Sequence, residues 1–308
     1  MRTEEVRFYS EGARVAALWR TRDRPGGRCR SIVQGPGWLG LKDAQLYLRY
    51  HEALTAAGFA VLIIDYRGFG GSEGEPTVSP FRQLQDLRNA VTYLETRDDV
   101  DADAIGTFGS GGTGGGNAVL LAAADSRVKA AVSQLPVADG ADWLHRMRTE
   151  HDWMTFLQAL QEDRRARVTT GQSRLVNPRE EIMVPTPERR ATRVKADVDT
   201  RVPAGIPLAA VDEILDYSPV AAARSLTTPM TRSGVEGDTT TPADHAVALY
   251  EAARGPRELV LQRHTSHYAS YEAYGAEIAG RIVEWFDRHL RGGHLVVRSH
   301  PGTAAGGA

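Results

Sequence analysis

Cysteine is almost absent from this chain. Cys29 is the only one in 308 residues, which excludes an intrachain disulfide and a cysteine metal cluster. Long apolar runs are missing too. Stretches such as Ala60–Ile64 fall far short of the roughly 20 residues that a bilayer-spanning helix needs. The opening MRTEEVRFYS has no apolar segment and does not read as a secretory signal. Neither sign of charge dominates: 37 Lys and Arg stand against 39 Asp and Glu, a net charge of −2. There is no basic field to hold nucleic acid and no acidic tail. A cytoplasmic location, with no membrane or nucleic-acid partner, is the default expectation. What is present is apolar residues at 42%, enough for a large core, in a length that suits one α/β domain with an insertion. The many Arg, Ala and Gly residues point to a GC-rich bacterial genome.

Glu5–Tyr9 and Arg14–Trp19, joined by Ser10-Glu11-Gly12, read as an opening hairpin. Ser31-Ile32-Val33 is a short strand leading into Gly35-Pro36-Gly37-Trp38. Residues 43–57 have helical spacing ended by Gly58. Ala60–Asp65 is an apolar run with an acid at its end, the pattern of a central parallel strand. Residues 80–97 are helical, Ala104–Phe108 is a strand, a helix begins at Asn117–Ala124, and Val128–Leu135 is another strand. This alternation predicts a mostly parallel sheet with helices on both faces. The rhythm breaks over 137–224, where a polar helix (Trp143–Arg167) and a Pro- and Arg-rich connection suggest an inserted helical cap. It resumes with Thr228–Val235, a helix at Ala243–Ala253, a strand at Glu258–Gln262 and a helix at Tyr271–Leu290. The core is thus expected over 1–136 and 225–293, with a flexible tail over 294–308.

The segments IVQGPGWLGLKD, DYRGFGGSEGEP, IGTFGSGGTGGGNAV, DSRVKAAVSQLP, EGDTTTP and HTSHYASYE follow one another in an informative order. Together they resemble the alpha/beta hydrolases, and within them the acetyl-esterase-like and Xaa-Pro dipeptidyl-peptidase-like branch. The similarity covers roughly 1–136 and 225–291, and it implies the alpha/beta-hydrolase fold. It also implies a general base at His267 and an acid at Asp238, in the family's chain order. A carboxylate after a strand orients such a histidine and stabilises its cationic form. Glu236 is the rival acid, and His264 is the rival histidine or a substrate contact. Two histidines three residues apart, without a third ligand nearby, do not make a metal site. The turn Pro36-Gly37-Trp38 matches the family's oxyanion loop, with the Trp38 amide as donor. Asp65 and Arg67 read as structural, an ion pair or a loop clamp. The glycines Gly68, Gly70 and Gly71 lack the spacing and lysine of a phosphate-binding loop.

A serine is missing where the family needs one. Counting along the strand from Ile105, the nucleophile position falls on Gly111. Ser110 is adjacent, but Phe108 two residues before it is large for a place that favours small neighbours. Thr113 fits the pattern of small flanking residues but lies two positions late. Counting back from the helix puts the position near Gly112 or Thr113. Three readings follow: Ser110 as nucleophile, Thr113 as nucleophile, or a glycine turn with none, in which Gly111 and Gly112 give room and amide donors.

The expected function is hydrolysis of an ester, amide or C–C bond in a small, partly apolar molecule. His267 would be the base, Asp238 its partner, and Trp38, Gly37, Gly111 and Gly112 would lie around the oxyanion. A lyase-type enzyme without covalent catalysis and a non-catalytic small-molecule binder are the alternatives. Trp143, Trp153, Met154 and Phe156 could line the pocket or pack the cap. No cofactor is expected, and a homodimer is allowed.

Overall fold

Val6, Phe8 and Ser10 are buried along β1 (Arg2–Ser10), whereas Arg7 and Tyr9 are exposed. That is the two-residue period of a strand with one dry face. In the computed structural model, which describes residues 1–23 and 27–290, this strand pairs as a hairpin with β2 (Ala13–Thr21). β3 (Cys29–Gly35), α1 (Leu48–Ala56), β4 (Ala60–Ile64) and α2 (Pro80–Glu95) follow, then β5 (Val100–Gly112), α3 (Thr113–Ala124) and β6 (Val128–Pro136). β4 is buried at every residue, as a strand covered on both faces must be.

The chain then leaves the sheet. It forms α4 (Gly140–Arg146) and α5 (Glu150–Thr170), and a two-stranded ribbon of β7 (Leu175–Val176) with β8 (Ile206–Pro207). Between the ribbon strands lie α6 (Pro187–Ala191) and α7 (Ala196–Asp199); after them come α8 (Ala210–Leu215) and α9 (Pro219–Ala223). The sheet resumes with β9 (Met230–Val235), α10 (Ala243–Ala252) and β10 (Arg257–Gln262), and the chain closes with α11 (Ala269–Glu272) and α12 (Gly275–Leu290). The eight sheet strands run in the order β1-β2-β4-β3-β5-β6-β9-β10. β2 is antiparallel to both neighbours, and the rest pair in parallel. This is the α/β fold expected, and it gathers the loops after β3, β5, β9 and β10 at one edge of the sheet, where such folds bind ligands.

Several boundaries differ from the sequence pattern. The helix expected over Trp143–Arg167 is two helices, because Thr149 caps the second by accepting from the Asp152 amide at 3.2 Å. The helix expected over Tyr271–Leu290 is likewise broken, with Gly275 opening α12. β5 runs on to Gly112, and α3 starts at Thr113 rather than Asn117. Small residues hid that start: Gly114, Gly115 and Gly116 have low helix propensity. They are required by contact. A Cβ on Gly114 would lie 2.9 Å from Gly37 Cα, and one on Gly116 2.2 Å from the Tyr217 hydroxyl. The tail expected to be flexible lies outside the described residues. No helix among the described residues is long and apolar enough to cross a membrane.

Candidate active site

His267 lies in the loop after β10, and Asp238 in the loop after β9, 29 residues apart in sequence. The sheet brings them together: Asp238 Oδ2 is 2.8 Å from His267 Nδ1. The rest of the carboxylate is satisfied locally. Its Oδ1 accepts from the amides of Thr240 at 2.7 Å and Thr241 at 3.0 Å, and Oδ2 accepts from the Thr241 hydroxyl at 3.0 Å. Burial opposes the negative charge of Asp238, but the positive charge and hydrogen bond of His267, with the two amides, outweigh it and hold the carboxyl below the usual aspartate range. With Nδ1 engaged, Nε2 is the ring nitrogen left to take a proton. The rival residues stand apart. Glu236 is exposed and faces Arg263 at 3.4 Å, and His264 is exposed in the same loop.

A cavity of about 40 Å³ adjoins His267. Gly37, Trp38, Ser110, Gly111, Gly112 and Trp143 are in its wall. In the turn after β3 the Gly37 amide donates to the Tyr47 hydroxyl at 3.0 Å, which leaves the Trp38 amide as the donor without a partner there among the described residues. The N-terminus of α3 packs against this turn, Gly114 on Gly37, and its first amides have no acceptor within the helix.

Between these donors the strand-to-helix turn consists of glycine. Gly111 and Gly112 both have positive φ, 75° and 46°. The strand count placed the nucleophile position at Gly111. The reversal into the helix falls at Gly112 instead (φ 46°, ψ −107°), because β5 stays paired to β6 as far as Gly112 and Pro136. A side chain at 112 would have room: its Cβ would lie 3.7 Å from Thr241 Cγ2 and 3.8 Å from Val137 Cγ2. At 111 a Cβ would come within 3.0 Å of the Tyr271 hydroxyl.

The two hydroxyls weighed as nucleophiles have other neighbours. Ser110 is buried, and its Oγ donates to Gln134 Oε1 at 3.0 Å and lies 3.3 Å from the Tyr271 hydroxyl. Thr113 is buried as the first residue of α3. Neither hydroxyl is hydrogen-bonded to His267 among the described residues. The hydroxyl that does reach the ring belongs to Thr241, 3.2 Å from Nδ1, on the side of the acid. Thr241 was legible only as one threonine of EGDTTTP, with nothing to single it out. Lys195, also in the cavity wall, carried no sequence signal, and Tyr268 and Tyr271 were legible only as part of HTSHYASYE.

Trp143 reaches the cavity and donates from Nε1 to the Thr240 carbonyl at 2.9 Å. Trp153 and Phe156 pack on each other with ring centroids 5.9 Å apart, and Met154 is exposed; none of the three is in the cavity wall. Asp65 and Arg67 do not pair with each other. Asp65 binds Lys42 at 2.7 Å, and Arg67 binds Asp86 at 2.6 Å, so both clamp the glycine-rich loop through other partners. Among the described residues no group of His, Cys, Asp and Glu could hold a metal ion.

The chain is 31% identical over 274 residues to a 31.7 kDa protein of the traX-finO intergenic region of Escherichia coli, covering 84% of this chain and 91% of the relative. It is 36% identical over 111 residues to the quorum-quenching protein AidA of Acinetobacter baumannii, covering 35% of this chain and 36% of AidA. Among solved structures, DcsB in complex with its substrate analogue superposes with a TM-score of 0.81 at 20% identity, over 94% of this chain and 100% of DcsB. The alpha/beta hydrolase GrgF from Penicillium superposes at 0.77 with 21% identity, over 94% and 99%. The pattern of the X-Pro dipeptidyl-peptidase (S15) family matches residues 38–268; the chain belongs to that family of alpha/beta hydrolases.

Proposed function

We propose that this enzyme hydrolyses an ester, amide or related acyl bond of a small, partly apolar molecule without a covalent enzyme intermediate. The observation that carries the reading is the pairing of an intact His267–Asp238 couple with a turn, Gly111-Gly112, that has no side chain to serve as nucleophile. In this mechanism His267 Nε2 takes a proton from water as the water oxygen bonds to the acyl carbon. The displaced electron pair moves to the carbonyl oxygen, which the amides of Trp38 and Thr113 hold. Collapse expels the leaving group, which takes the proton back from His267. Positioned general-base transfer supplies about 10² to 10⁴ in rate, and each oxyanion donor about 3 kcal/mol. The name of AidA, quorum-quenching, supports a small-molecule substrate.

Ser110→Ala and Thr113→Ala test the reading. Each variant should keep turnover within the same order of magnitude, because neither hydroxyl is hydrogen-bonded to His267. A loss from either one comparable to that of removing the base would restore a covalent route through that residue.

A further inference from the structure

Lys195 belongs to the segment between β7 and β8 that closes over the sheet edge, and it shares the cavity wall with His267 and Trp38. Its ammonium donates to the Trp38 carbonyl at 2.6 Å. Among the described residues no carboxylate forms an ion pair with it, and no acidic side chain is in the wall of the cavity. Arg179 and Arg189 pair with Asp199 instead, at 2.8 and 2.9 Å. Burial, with Arg179 and Arg189 close by, pushes the Lys195 ammonium down to about 7, against the pull of Asp199 and Asp197. A second donor waits in the same wall: the buried Trp38 Nε1 has no acceptor. A half-buried ammonium with no carboxylate partner, beside an indole N–H with no acceptor, calls for a ligand that supplies acceptors, and a charged one most of all.

The cavity also has a direction. Leu46, Val194 and Tyr271 are common to its wall and to that of an outer cleft of about 490 Å³. Arg49 and Arg193 stand in that cleft beside Asp197 and Glu272. Asp197 is engaged by the Gln45 amide at 2.8 Å, whereas Arg193 is exposed and has no ion pair among the described residues.

We propose that the site takes an acidic substrate, one whose carboxylate pairs with Lys195 while its acyl carbon faces His267. The proposal rests on the hydrolytic reading above for the role of His267, but the recognition of charge does not. No new bond is made at Lys195; the contact is an ion pair that offsets the unpaired ammonium.

Monomethyl glutarate and dimethyl glutarate differ only in that one carboxylate, and calorimetry at pH 6.5 measures both. The intact protein should bind the monoester roughly tenfold more tightly than the diester, as a charge-assisted hydrogen bond would require. Lys195→Met should erase that preference and leave diester binding as it was. No preference in the intact protein, no binding of the monoester, or a preference that survives Lys195→Met would overturn the proposal. Equal loss of both ligands in Lys195→Met would also overturn it, since the lysine would then only brace the Trp38 turn. Monoester that binds with the expected preference but releases no methanol would leave the recognition intact and count against hydrolysis.

Discussion

Replacing His267 by alanine should lower turnover by at least about 100-fold, the lower end of what positioned proton transfer contributes. The loss should fall on kcat, since the imidazole acts when the proton moves rather than when substrate binds. Stability should also fall. His267 is only 5% exposed, and its removal leaves Asp238 buried beside an empty place. Thr240 and Thr241 still donate to the carboxylate, so the cost should be about 1–3 kcal/mol rather than a loss of fold. Steady-state kinetics and urea unfolding of the variant check both parts. Near-normal turnover in a folded variant would remove His267 from the mechanism.

Asp238→Asn should be nearly as damaging, and by a different route. The carboxylate fixes Nδ1 as the protonated nitrogen and leaves Nε2 free to accept. Asparagine can instead present its amide N–H to Nδ1, which puts the ring proton on Nε2 and disables the base. Where such a pair drives catalysis the change costs about 10⁴ in kcat. Glu236→Gln is the control and should do nothing, because the Glu236 side chain is exposed and, among the described residues, its carboxylate pairs only with Arg263. The same pair sets an acid-side loss of stability. The folded-state carboxyl of Asp238 lies below its ordinary value of 3.8. Its contribution is therefore complete above that value and disappears as pH falls through the lower, folded one. Asp238→Asn should lack that part of the acid destabilisation in denaturation curves taken across the range.

The fold was legible because its signals are physical and local. The buried run Ala60–Ile64 could only be a strand covered on both faces, and Phe81, Leu84, Leu87, Val91 and Leu94 keep helical spacing through α2. Asp238 and His267 were legible as loop residues after strands, in family order. The turn was harder. The count along β5 placed the key position at Gly111, but backbone pairing, which no residue type announces, carries the strand one residue further. Glycine tracts also lose the contrast that marks a helix start, so α3 was seen four residues late. The segment between β6 and β9 was opaque for another reason. Its short helices are held by ion pairs such as Arg189 with Asp199 and by contacts to the core such as Lys195 with Trp38. Neither leaves a periodic pattern, so Lys195 could not be found before the chain was folded.

The proposed mechanism without an enzyme nucleophile is tested most directly by intact mass after exposure to a fluorophosphonate probe. The protein should keep its unmodified mass, because Gly111 and Gly112 offer no hydroxyl beside His267 and a reactive serine or threonine is what the probe needs. Gly112→Ser should gain one adduct at residue 112, since a Cβ there meets nothing closer than 3.7 Å, its φ of 46° being the kind of strained turn that an elbow nucleophile occupies, and His267 stands ready to activate it. A folded Gly112→Ser that stays unlabelled while Gly111→Ser is labelled would move the elbow back to residue 111. An adduct on the unaltered chain, mapped to Ser110 or Thr113, would contradict the non-covalent mechanism outright.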